Sequence, residues 1–171
     1  MARGAQTEPE AEADQLVITE LISYQLSRVS NSLSRSAGLR YRRLFGVTLA
    51  EWRTIALIGA QSPMTLNKLA RRAALDKAQM SRVVSGLYER ALVTKNLGAG
   101  RTTQLSLTPQ GTELYSKLIA EANARNSRIR RHLGLKDWRA LERALDNLTS
   151  LARVMEEEEQ QAELAGVEAG S

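Results

Sequence analysis

Thr65–Arg90 reads TLNKLARRAALDKAQMSRVVSGLYER. Leu66, Leu69 and Ala70 fall on one face of a short helix through Arg72, which Thr65 opens as an N-cap. Ala73-Ala74-Leu75 makes a tight turn. Asp76 then caps a longer helix to about Arg90, with Met80, Val83, Val84, Leu87 and Tyr88 recurring at steps of three and four. A helix, a tight turn and a second helix form the unit that lays its second helix in a DNA major groove, braced by the first. Ala78, Arg82, Ser85 and Glu89 point away from the apolar stripe, with Gln79 and Ser81 on its flanks. Small outward side chains let a helix approach base edges. Gln79 suits adenine, and Arg82 suits guanine or a phosphate. The same pattern also describes an ordinary helical hairpin with a polar outer face, so the neighbouring segments decide.

Downstream, Leu92–Leu97 and Thr102–Thr108 are expected as strands, with Leu105 and Leu107 alternating with polar residues. Gly98-Ala99-Gly100-Arg101 joins them, and Arg101 at this glycine-rich tip can reach a minor groove. Helix, helix, then a basic-tipped ribbon is the order of a winged helix. Charge agrees. From Thr65 to Thr108 stand Lys68, Arg71, Arg72, Lys77, Arg82, Arg90, Lys95 and Arg101, against Asp76 and Glu89 alone. The whole chain carries only +5, so its positive excess is confined to this stretch, as a footprint for phosphate would be.

Further out, the chain reads as helical extensions. Residues 1–13 are small, polar and acidic, and are expected to be a disordered arm. Residues 14–47 carry Val17, Leu21, Ile22, Leu26, Val29 and Leu33 at helical spacing, with Gly38 expected to end or interrupt that helix. Thr48 with Glu51 three residues on has capping-box spacing and opens residues 48–108, the winged domain. Its first helix carries Trp52, Ile55 and Ile58 and is expected to stop near Gly59, before Ser62-Pro63. Residues 109–159 hold two helices, Pro109 to about Leu133 and Lys136 to Glu159. In the second, Trp138, Leu141, Leu145, Leu148, Ala152 and Met155 make a heptad seam that needs a partner. Residues 160–171 are expected to fray. The fold class is thus mainly α: a winged helix-turn-helix with a two-stranded β wing, flanked by long N- and C-terminal dimerisation helices.

Several function classes drop out. There is no cysteine, which removes thiolate chemistry and cysteine–zinc sites. The single histidine, His132, is expected at a helix end rather than in a metal site or triad. No apolar run is long enough to span a membrane. Glu8, Glu10, Glu12 and Asp14 argue against a secretory or transit segment, so a cytoplasmic protein is expected. No cofactor, metal site or catalytic group is expected, and the chain does not read as an enzyme.

Residues 66–95, LNKLARRAALDKAQMSRVVSGLYERALVTK, and 100–111, GRTTQLSLTPQG, resemble the winged helix of MarR-family regulators. Ser81, Arg82, Val84, Leu87, Arg90, Leu92 and Val93 occupy the positions of that family's recognition-helix pattern, with Ala91 where glycine is usual. Leu107, Thr108 and Gly111 match its Leu-Thr-x-x-Gly ending. Ala99 stands where the family's wing often has an aspartate, which removes a local partner for Arg101. The resemblance implies a homodimeric transcription regulator, a repressor by family expectation, on a near-palindromic double-stranded DNA operator. Its recognition helices would lie roughly 34–36 Å apart. Thr65, Lys77, Ala78, Gln79, Ser81, Arg82, Ser85 and Arg101 are the expected DNA-binding residues. The resemblance also implies a small-molecule effector held between dimer helices and winged domain. Arg40, Tyr41, Arg42 and Arg43 lie near that junction, with Trp52 as a pocket wall. Arg40, Tyr41, Arg43 and Trp52 are the expected effector residues, and an arginine cluster suits an organic anion such as an aromatic acid or acyl thioester. The competing reading is an architectural protein that binds DNA with little sequence choice.

Overall fold

The computed structural model describes residues 17–73, 75–98 and 102–169. Two compact units divide between Leu118 and Ile119. In chain order the elements are α1 (Ile22–Phe45), α2 (Leu49–Ala60), β1 (Met64–Thr65), α3 (Leu66–Ala73), α4 (Lys77–Glu89), β2 (Val93–Leu97), β3 (Thr103–Leu107) and α5 (Pro109–Ala169).

Local chemistry sets most of these boundaries. α1 runs straight through Gly38 and stops at Gly46, whose φ of 64° is left-handed and whose N–H reaches the Arg42 carbonyl at 3.0 Å. The expected break at Gly38 does not occur, because one glycine costs a helix only about 1 kcal/mol and the arginines and leucines that follow favour it. Residues 17–20, expected inside the helix, form a turn before it. At Thr48 the capping box is complete. Its hydroxyl accepts from the Glu51 N–H at 3.2 Å, and the Glu51 carboxylate accepts from the Thr48 N–H at 2.7 Å. α2 passes Gly59 by one residue. A Cβ there would lie 2.7 Å from the Tyr115 ring, so this glycine serves packing rather than termination. Thr65 caps α3 as expected, accepting from the Lys68 N–H at 3.3 Å.

β1, a strand not foreseen, adds the third member of an antiparallel sheet ordered β1-β3-β2. Met64 pairs with Leu105, and Lys95 faces Leu105 from the other side. The two-stranded wing therefore rests on the domain through β3. Ile55, Ile58, Met64, Leu69, Met80, Leu87, Val93, Leu105 and Leu118 are fully buried together and hold α2, α3, α4 and the sheet as one core. Thr54 is buried with them, its hydroxyl directed at the Met80 sulfur at 3.7 Å.

In the second unit α5 is broken at Gly134 (φ 75°, ψ 166°), inside the expected gap between Leu133 and Lys136. His132 sits two residues before this break and is exposed. The helix after it continues to Ala169, beyond the expected fraying point at Gln160. Glutamate, glutamine, alanine and leucine dominate there, and all favour helix.

Candidate nucleic-acid interface

The sequence-derived reading face is open. Asp76 accepts from the Gln79 N–H at 2.7 Å and fixes the first turn of α4. Lys77, Ala78, Gln79, Ser81 and Arg82 are all exposed, and Ser85 is half-buried. Met80, Val84 and Leu87 lie on the opposite side at 2% exposure or less. α4 is therefore anchored by one stripe and presents the other. Lys68, Arg71 and Arg72 are exposed on α3, and the Arg72 guanidinium donates to the Gln61 side chain. Thr65, expected at the interface, is half-buried and engaged as the α3 cap. Arg101 lies outside the described residues, as does Ala99.

Tyr88 departs from the expected pattern. It was expected within the inward stripe, yet it is 52% exposed. The Lys95 ammonium lies 4.8 Å from its ring centroid, which ties the end of α4 to β2 by a cation–π contact. Helical spacing alone does not distinguish the last turn of a buried stripe from a residue that has cleared the core edge.

The joint between α4 and the wing is tightly made. Ala91 takes a left-handed turn at φ 54°, where the family pattern prefers glycine. Thr108 Oγ1 donates to the Ala91 carbonyl at 2.7 Å and accepts from the Gly111 N–H at 2.9 Å. The Thr108 N–H donates to the Leu92 carbonyl at 3.1 Å. Leu-Thr-x-x-Gly is thus a local device: the threonine caps α5 and fastens the wing, and the glycine admits a carbonyl. On the α2 side, Arg90 Nη1 donates to Glu51 Oε1 at 3.0 Å. This pair was not legible beforehand, because Glu51 reads only as a capping residue and Arg90 only as part of a helix end.

The expected effector residues separate by burial. Tyr41 is 3% exposed and belongs to the core. Its ring centroid is 5.1 Å from that of half-buried Trp52 and 6.4 Å from that of Phe45. Arg40 and Arg43 are exposed. A cleft of about 310 Å³ is lined instead by Phe45, Arg90, Leu92, Gln110, Glu113, Leu114 and Lys117. There the Lys117 ammonium bonds Glu113 at 2.7 Å and holds its carboxyl below the usual carboxylate range. No helix among the described residues is long and apolar enough to cross a membrane.

A three-stranded sheet with a helix-turn-helix and an exposed, capped second helix defines the fold class: a winged helix-turn-helix. Residues 45–101 match the MarR family model. The chain is similar to a MarR/EmrR-family transcriptional regulator from Acinetobacter sp. ADP1, at 26% identity and a TM-score of 0.70, over 77% of this chain and 94% of that one. It is also similar to a MarR-family regulator from Silicibacter pomeroyi DSS-3, at 25% identity and a TM-score of 0.72, over 80% and 98% of the two chains. The fold is shared with the S. aureus MepR–DNA complex, at 17% identity and a TM-score of 0.68, over 76% and 95%. Among curated proteins none matches the chain. The chain thus shares the winged helix-turn-helix fold of MarR-family transcription regulators, and its residues 45–101 carry that family's sequence pattern.

Proposed function

We propose that the protein is a homodimeric repressor that reads a near-palindromic operator and is released by a small organic anion in the cytoplasm. One observation carries the reading: α4 is capped, anchored along one side and bare along the other. In this reading Gln79, Ser81 and Arg82 contact base edges, and Ala78 and Ser85 allow close approach. Lys77 and Thr65 meet the backbone, and Arg101 serves the wing.

Dimerisation is supported by two apolar faces that the single chain leaves bare. Ile22, Val29 and Leu33 are exposed on α1, and Leu141, Leu145, Leu151 and Met155 on α5. Such surface is unusual on a monomer. Residues 14–47 and 109–159 are accordingly proposed as the dimerisation regions and 48–108 as the DNA-binding domain. Arg40 and Arg43, with the Tyr41–Trp52 ring pair, are proposed to hold the effector; both arginines are exposed residues beside that pair, which supports a charge-holding role. The effector acts only through unequal affinity for DNA-competent and DNA-incompetent dimers.

Mobility shifts on a duplex selected from random DNA test the reading. Arg82→Ala is expected to weaken binding by about 10- to 100-fold, the value of one good bidentate contact. Wild-type binding by Arg82→Ala and by Gln79→Ala alike contradicts the docking.

A further inference from the structure

Glu51 and Arg90 lie outside the residues assigned to DNA contact, and they meet where the two reading elements join. Arg90 is the C-cap of α4, Ala91 makes the left-handed turn, and β2 begins at Val93. Glu51 is no loose surface acid. Its Oε2 is already fixed by the Thr48 N–H at 2.7 Å, which leaves Oε1 as a preset acceptor for Arg90 at 3.0 Å. The Glu51 side chain is only 17% exposed, and a partner held in advance loses little side-chain entropy on pairing. Thr108 grips the other side of the same joint through the Ala91 and Leu92 carbonyls. Between them, α2 and the start of α5 clamp the point about which α4 and the wing could change their mutual angle.

We propose that Glu51, acting through Arg90, is a positioning residue for DNA reading. It fixes the direction of α4 relative to the wing, so that both engage one operator at once. The inference rests on the reading that α4 enters a groove. It makes a prediction opposite to simple electrostatics. Removing a carboxylate from a basic DNA-binding domain should favour DNA in general. Here it is expected to harm binding of the right sequence.

The test uses the full chain, an inverted-repeat duplex selected from a random pool, and a scrambled duplex of equal length, across a salt series. Glu51→Gln keeps an acceptor for the Thr48 N–H but loses the charge that holds Arg90. It is expected to bind the selected duplex about tenfold more weakly and the scrambled duplex equally or more tightly, with the salt slope unchanged. Arg90→Met is expected to lose the same selectivity, and Arg90→Lys to recover part of it. Thr48→Ala separates capping from positioning: it should lower the thermal midpoint yet keep the selectivity ratio. Selectivity lost in Thr48→Ala as fully as in Glu51→Gln assigns the effect to the cap and overturns the proposal. Undiminished affinity of Glu51→Gln for the selected duplex, with Arg82→Ala impaired, also overturns it and leaves groove reading intact. If Arg82→Ala is unimpaired as well, both readings fall.

Discussion

Gly111 approaches the Leu92 carbonyl so closely that a Cβ built on it would lie 2.0 Å from that oxygen. The oxygen is backbone and is already bonded to the Thr108 N–H, so it cannot swing aside. Gly111→Ala must therefore push α5 away from the wing joint. The expected cost is about 1–3 kcal/mol, as for other overpacked sites. Denaturant unfolding at fixed protein concentration should show a lower midpoint with an unchanged slope.

Gly86 makes the opposite case. It lies within α4, and a Cβ there meets nothing within 4 Å. Gly86→Ala is expected to stabilise the chain by about 0.5–1 kcal/mol through helix propensity alone. A thermal midpoint below that of the native chain would contradict the open space beside Gly86.

Ala91 holds a left-handed conformation at φ 54°. That geometry costs an alanine about 1–2 kcal/mol, and a glycine there gives back part of the gain as unfolded-state entropy. Ala91→Gly should raise stability by about 0.5–1 kcal/mol. Calorimetry of the variant checks this, and a fall in midpoint would contradict the backbone reading.

Asp76→Ala removes the acceptor of the Gln79 N–H. About 1 kcal/mol of stability is expected to go with it. Operator affinity should fall as well, since the freed turn carries Lys77, Ala78 and Gln79. Unfolding and mobility shifts on the same preparation separate the two effects.

Leu145 is exposed in the single chain, on the heptad seam of α5. Leu145→Glu should leave helical content unchanged and shift the protein towards monomer in sedimentation. A dimer of unchanged affinity would remove that face from the interface.

The winged domain was largely legible in the sequence because its signals are local. Thr48, Thr65 and Asp76 cap what their spacing says they cap. The 2-period of Leu105 and Leu107 and the 3.6-period of Met80, Val84 and Leu87 mark strand and helix. What escaped was non-local. β1 is two residues long and exists only because β3 offers an edge. The Glu51–Arg90 pair joins residues 39 positions apart that each have a sufficient local explanation. Gly38 misled because a glycine in mid-helix looks like a stop until the left-handed Gly46 is known to supply one. The burial of Tyr41 between exposed arginine neighbours was likewise not legible, because three adjacent polar side chains mask an inward ring.

The central claim is that two copies of α4 read one DNA duplex together. Selection of bound sequences from a random pool, with the full chain at a stated salt concentration, tests it most directly. The expected product is an inverted repeat whose half-site centres lie about 10 base pairs apart. Enrichment of a single unrepeated site, or of no sequence at all, would contradict it.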